Sequence, residues 1–353
     1  MAFPFRHLFL EKSLKVNGPS ICTADHGALA QLGERLICIQ EVRSSILLGS
    51  TNIVLFLSLG SGLNPGMKIC AITMVYRDYW ALAQWIRHYS THLGIENLYV
   101  VVHGPDPKVN EIAQGANIWT IPRETLEAFD KRRNRMLNQF QSGLLQFYDW
   151  VIRTDTDELI CVDPDLHGSL EQLLGRTTDD AVFAIGLNVY EQAEEQDMPD
   201  GVSVFDCRDA AVITGNYSKA WAVKTDAPLM RHGVKLTNET DKRYSYSFPQ
   251  GVYLAHLKFA SIAALADGNV TRKAVARSGA PGVPGWGWKR ADAHTRRFFE
   301  KVETLDFTPW SDAVALAHET ITFDMKYDES DGVIRSPGIP FLAKTKLPKW
   351  FKT

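Results

Sequence analysis

The 353-residue chain has little cysteine: Cys22, Cys38, Cys70, Cys161 and Cys207 are scattered, and no CxxC pair exists. This argues against zinc fingers and disulfide frameworks and favours a reducing compartment. An excess of either charge is also lacking. With 38 Lys+Arg against 41 Asp+Glu, the formal charge is -3, which excludes a globally basic nucleic-acid binder. No apolar run reaches the ~20 residues that a spanning helix needs. The richest one, Ile46–Leu63, is broken by Ser, Thr, Asn and Gly. It also lies too far from the N-terminus for a secretory signal. GxxxxGK(S/T), GxGxxG, HExxH and GxSxG are all absent, which removes P-loop hydrolysis, Rossmann redox chemistry, zincin proteolysis and the nucleophile elbow. What remains is an average globular composition, 45% hydrophobic, with nine Trp, eleven Tyr and seventeen Phe to fill a sizeable core.

Residues 1–66 differ from the rest. Gly27–Thr51 (GALAQLGERLICIQEVRSSILLGST) resembles the conceptual translation of a transfer-RNA gene. One codon choice for Glu34–Glu41 writes a stem and an alanine anticodon loop, and Ser44–Leu47 can encode a T-loop. The expectation is a non-native or disordered extension over 1–66, with the natural protein beginning at Met67.

From Met67 the pattern becomes regular. Ile69–Val75 (ICAITMV) reads as a buried strand, and Tyr79–Leu93 carries Leu82, Trp85, Ile86 and Tyr89 at helical spacing before Gly94. Further strands are predicted at Leu98–Val102, Asn117–Ile121, Trp150–Ile152, Ala181–Asn188, Ala220–Val223 and Val252–Leu257. Helices are predicted at Val109–Gln114, within Glu124–Tyr148, at Leu170–Leu174 and at His294–Val302. Strands alternating with helices predict an α/β domain on a mainly parallel sheet over 67–260. A C-terminal helical region, 261–353, completes the chain.

The sharpest local signal is Asp149–Val162 (DWVIRTDTDELICV), where an apolar strand delivers Asp155, Asp157 and Glu158 to its carboxyl end. Ligands of open α/β sheets bind at such ends. Carboxylates at i and i+2 on an extended segment point the same way, which suits one hard divalent cation with positions left for phosphate oxygens. Asp-x-Asp alone also occurs on solvated loops; the strand on each side favours a site. A DxDx(T/V) phosphatase is excluded, because Leu159 stands where Thr or Val is needed.

Together with that motif, Ile69–Val75, Tyr79–Gly94 and Asn97–Val102 resemble the family 2-type glycosyltransferases of GT-A fold, in particular the bacterial subgroup whose strand ends in D-x-D-E. The resemblance covers about residues 67–260. It implies a GT-A-type mainly parallel sheet flanked by helices, and a nucleotide-diphosphate sugar donor, UDP-linked, held through Mn2+ or Mg2+ on Asp155 and Asp157. The metal would offset charge on the departing diphosphate. Taken alone, His256, in Gly251–Ala260, reads as a core histidine with its ring nitrogens satisfied by backbone; the resemblance implies instead that it completes the metal shell. Lys219, in Gly215–Val223, falls where the family carries a lysine contacting donor or acceptor. Two turns depart from the family. Arg77-Asp78 replaces Asn-Glu, so that Asp78 keeps the carboxylate, and His103-Gly104-Pro105-Asp106 replaces an acidic turn.

Among Arg132, Arg133 and Arg135, which as a run read as a solvated helix face, Arg133 is the residue expected to turn inward onto phosphate. An inverting transfer needs a carboxylate base. Asp206, Asp209, Glu239, Asp241 and Glu191 are candidates, the sequence does not choose, and retaining stereochemistry stays open. The expected acceptor is a surface polysaccharide or glycolipid, in the cytoplasm or at the inner membrane face. Alternatives are a nucleotidyltransferase, which would want a Gly-rich turn where Tyr76-Arg77-Asp78-Tyr79 stands, and a non-catalytic sugar-binding relative. Trp286, Trp288, Lys289, Arg290, Arg296, Arg297 and Trp350 suit an acceptor lid, a peripheral membrane contact, or a cap packed on the domain.

Overall fold

The computed structural model describes residues 66–237 and 242–352. The expected extension over 1–66, apart from Gly66, and the base candidates Glu239 and Asp241 lie outside the described residues. The first half follows the predicted alternation: β1 (Ile69–Val75), α1 (Tyr79–Leu93), β2 (Leu98–His103), β3 (Asn117–Ile121), α2 (Phe129–Leu144), β4 (Trp150–Arg153) and β5 (Glu158–Val162). Then come β6 (Ala181–Tyr190), β7 (Ala210–Val223), β8 (Leu229–Met230), β9 (Gly233–Lys235), β10 (Tyr246–Ser247) and β11 (Val252–Phe259). The C-terminal part holds α3 (Ile262–Arg277), α4 (Ala291–Glu303), α5 (Trp310–Phe323), β12 (Lys326–Asp328), β13 (Val333–Arg335) and β14 (Ala343–Lys346), with short helices between these elements.

The main sheet runs β3-β2-β1-β4-β7-β6-β11-β5, with β10 beside β6 and β14 beside β7. β1, β2, β3 and β4 are parallel, as are β6, β10 and β11; β7 and β5 enter antiparallel, and so does β14. The α/β class read from the sequence is the class the chain adopts. All ten residues of β6 are buried, and so are seven of the eight in β11. Strands covered on both faces show no polar alternation, which is why these segments read as continuous apolar runs.

The sequence-based strand Ala220–Val223 is only the end of β7, a 14-residue strand. Its earlier part is broken by Gly215, Asn216 and Ser218, residues poor in strand propensity. The C-terminal region is more than a helical cap. β14 pairs with β7 in the main sheet, and β13 pairs with β9 in a second sheet of order β12-β13-β9-β8. The segment Ala343–Lys346 (AKTK) buries only Ala343 and Thr345, so its small and polar residues carry no hydrophobic signal.

Candidate active site

A cleft of about 320 Å3 opens at the carboxyl ends of β1 and β4, and Asp78, Arg133, Asp155, Asp157, Lys219 and His256 all line it. The acidic segment is held as a tight turn: Asp155 N donates to Glu158 Oε2 at 3.0 Å and Glu158 N to Asp155 O at 3.1 Å. From below, α1 clamps it. Trp85 Nε1 donates to Thr154 Oγ1 at 2.9 Å, and Ile160 N donates to the Tyr89 hydroxyl at 3.1 Å, with both aromatic rings fully buried. From the side, Leu257 N donates to Asp157 O at 2.7 Å. The register of β11 places His256 opposite Glu158 on β5 and Asn188 on β6, just before an irregularity in the pairing. Such breaks re-aim side chains beside sites.

The charged groups divide into two sets. In the first, Arg133 donates to Asp155 Oδ1, and Lys219 Nζ stands 3.8 Å from Asp155 Oδ2 and 2.8 Å from Glu158 Oε1. Burial works against ionisation of Asp155, but the two cations outweigh it and hold its carboxyl well below the usual carboxylate range. Glu158, with a 1% exposed side chain, is pushed up by burial, against the pull of Lys219. In the second set, His256 Nε2 lies 3.4 Å from Asp157 Oδ2, and His256 Nδ1 meets Asn188 Oδ1 at 2.7 Å. The Tyr217 ring stacks on the imidazole at 3.7 Å. Because the Asn188 oxygen accepts, Nδ1 carries a proton, which leaves Nε2 as the nitrogen that faces the Asp157 carboxylate. Burial opposes ionisation of Asp157, and His256 more than offsets it, so the carboxyl is lowered.

That pair is also a donor set for a cation, which would take the place of the Nε2 proton: one imidazole nitrogen and one carboxylate oxygen, with the other ring nitrogen held by an outer hydrogen bond. Asp157 and His256 therefore fit a divalent metal. Asp155 is drawn instead toward Arg133 and Lys219, and among the described residues no group of three His, Cys, Asp or Glu side chains is arranged around one point. Nearby, Asp78 is pushed up to about 6 by burial and by Asp157, and Lys258 is pushed down to about 8 by burial and by Arg272. Eight Lys and Arg residues line the cleft against five Asp and Glu, in a chain whose formal charge is -3. The cleft is built for an anion.

Of the arginine run, Arg133 is the inward member, whereas Arg132 pairs with Glu127 on the exposed face. Asp209 lies away from the cleft, at the edge of β7, half-exposed and paired with Lys346 at 2.6 Å. Glu191 is buried against Arg208 at 2.9 Å and caps Ile262 N, a structural role. Asp206 lines a different cavity, between α1 and the start of β5. Trp350 packs with Phe351, Trp310 and Tyr253, and so caps the domain, whereas Trp288 lines the cleft beside Phe129.

Several cleft residues escaped sequence reasoning. Arg153 is buried and donates to Asn138 Oδ1 at 2.6 Å and Leu229 O at 2.5 Å. His103 accepts from Arg123 Nη1 at 2.8 Å at Nδ1, and Arg123 also lies 3.3 Å above the Tyr76 ring. Arg272, from α3, and His232, from the β8–β9 hairpin, join from elements remote in sequence. Only Arg153, two residues before Asp155, was close enough to the motif to be found.

No protein family profile and no curated protein sequence matches the chain. Among solved structures it overlaps with a 4-diphosphocytidyl-2C-methyl-D-erythritol synthase over 38% of this chain and 66% of that one, at 14% identity and a TM-score of 0.25. The mannosyltransferase Ktr4p from S. cerevisiae in complex with GDP matches over 36% and 41%, at 11% identity and a TM-score of 0.24. A CMP:2-keto-3-deoxy-manno-octonic acid synthetase complexed with CTP matches over 66% and 99%, at 12% identity and a TM-score of 0.25. The chain spans less than two thirds of the length of the first two. Overlaps at these scores carry no argument about activity, which has to rest on the cleft.

Proposed function

We propose that the protein is a glycosyltransferase of the GT-A type, using a nucleotide-diphosphate sugar, UDP-linked, with a divalent cation, Mn2+ or Mg2+, held by Asp157 and His256. The observation that carries this reading is the pair itself. His256 has its Nδ1 proton committed to Asn188 and its Nε2 3.4 Å from Asp157 Oδ2, so that imidazole and carboxylate converge, in a cleft with an excess of cations. When bound, the cation would supply Lewis-acid stabilisation of the departing diphosphate. The chain's own residues do the rest. Arg133 and Lys219 keep Asp155 ionised and stand ready to exchange that carboxylate for phosphate oxygens. Asp78 and Arg123 line the end of the cleft formed by the turns after β1 and β3, where a nucleoside would lie. Trp288 and Phe129 offer aromatic faces for a sugar or base.

The acceptor in this proposal is a glycan or glycolipid, with the enzyme in the cytoplasm and the C-terminal region in reach of an anionic membrane surface. Among the described residues no helix is long and apolar enough to cross a membrane.

The test is a panel of UDP-, GDP- and CMP-sugars with the full chain, with and without Mn2+, read as nucleotide release and as thermal shift. Mn2+-dependent release of a nucleoside diphosphate, removed by EDTA and by Asp157→Ala, is expected. Identical behaviour of wild type and D157A with every donor would sink the metal-site reading. Incubation with nucleoside triphosphates and sugar phosphates separates the alternative, because a nucleotidyltransferase would release pyrophosphate. The turn after β1, Tyr76-Arg77-Asp78-Tyr79, lacks the glycines that such an enzyme would want there.

A further inference from the structure

The hairpin between β8 and β9 turns on two residues, Arg231 and His232, because Met230 pairs with Gly233. His232 sits there at a φ of +61°. A left-handed conformation costs a residue with a Cβ about 1–2 kcal/mol, and glycine would avoid the cost. The ring is costly as well: Nδ1 is buried with no hydrogen-bond partner, and the ring stands edge-on to Tyr217, at 5.9 Å. Two unfavourable features thus coincide on one side chain that lines the cleft.

Most of the carboxylates and imidazoles of the cleft are committed. Asp155 and Glu158 are paired with Arg133 and Lys219, Asp157 with His256, Asp130 with Arg231 at 3.7 Å, and His103 with Arg123. Asp78 and Lys258 are exceptions: Asp78 lies beside Asp157 at the end of β1, and Lys258 follows His256 on β11 near Arg272. Charged or titratable groups facing His232 are Lys219 on β7, its neighbour Arg231, Asp155 after β4, and His256 on β11. Burial, followed by Lys219 and Arg231, pushes the imidazole down to about 4, so that it is neutral at pH 7.

We propose that His232 accepts the proton of the attacking hydroxyl, in place of the carboxylate base expected from the sequence; this rests on the glycosyltransferase reading above. A lone pair of the hydroxyl oxygen forms the new bond to the anomeric carbon, and its proton passes to His232 Nε2, since Nδ1 is sealed from the cleft. The bond from the anomeric carbon to the phosphate oxygen breaks, and its electron pair leaves on the nucleoside diphosphate. Water serves as the simplest attacking hydroxyl.

His232→Gly suits the backbone at this position and leaves room for a free imidazole. With the nucleotide-sugar that wild type hydrolyses, H232G should lose about 100-fold or more in kcat with KM little changed. Added imidazole should restore part of that rate, and the acid limb of the wild-type pH profile should disappear. His232→Asn, whose side chain tolerates the left-handed region, should lose activity without rescue. The proposal is overturned if H232G keeps a rate within a few-fold of wild type, or if imidazole has no effect while Asp78→Asn abolishes the acid limb. Wild type inert with every donor would overturn the glycosyltransferase reading and this proposal together. Wild type active with H232G unimpaired removes only the latter.

Discussion

At the scale of single residues, the cleft depends on small contacts behind the groups that face a ligand. Asn188 engages His256 Nδ1, and so determines that Nε2 is the imidazole nitrogen left to face Asp157 or a cation. Asn188→Ala should leave the fold intact and lower Mn2+ affinity about 10–100-fold, as losses of outer hydrogen bonds to metal-bound histidines do; calorimetric titration of the full chain with Mn2+ reads it. Affinity equal to wild type would show that His256 does not bind the cation through Nε2. Arg133 illustrates the same dependence from the other side. In sequence it is one of three arginines on a polar helix, and only the rotation of α2 against β4 brings it, and not Arg132, to Asp155.

At the scale of elements, the close passage of β6 and β7 positions the upper wall of the site. Gly186 on β6 has no side chain because a Cβ there would meet Tyr217 C at 2.4 Å and Ser218 N at 2.7 Å, both backbone atoms of β7. Gly186→Ala must push apart the stretch that carries the Tyr217 ring and Lys219. A loss of about 1–3 kcal/mol is expected, as for other overpacked cores, and a lower melting temperature measures it. An unchanged melting temperature would mean that the strands separate at no cost. The long strand β7 serves three partners in turn, β14 near its start, β6 along most of its length and β4 at its end. Its polar residues belong to the cleft and to these crossings, so it escapes a reading based on apolar runs.

At the scale of the whole molecule, the cleft concentrates cations that the chain as a whole does not have in excess, and it buries carboxylates of opposite behaviour. Asp78 is raised by burial and by Asp157, so the folded state holds its proton more tightly than the unfolded state. Its contribution is favourable below the ordinary carboxylate value and is lost as pH rises through about 6. Asp78→Asn should therefore raise the melting temperature at pH 7 and have little effect near pH 4. Thermal melts of both proteins across pH 4–8 test this, and a gap that is widest at low pH would contradict it. Asp155 acts in the other sense: stabilised as an anion by Arg133 and Lys219, it supports the fold above the ordinary carboxylate range and less as pH falls.

Much of this was legible in the chain itself. The strand at Asn117–Ile121, the helix ending at Gly94 and the acidic turn between two apolar strands are local patterns, and local chemistry determines them: apolar periodicity, a helix stop and a strand end that exposes carboxylates. The α/β class follows from their alternation. Tertiary structure alone decided what the carboxylates face. Asp155 meets cations from α2 and β7, Asp157 meets an imidazole from β11 about a hundred residues later, and Asp209 is left at a sheet edge with Lys346. It also brought in Arg272 from the C-terminal region and His232 from a strained hairpin. The physical reason is range. Hydrogen-bonded elements form between neighbours in sequence, whereas a charge in a cleft takes its character from whatever the packed elements bring within a few ångströms.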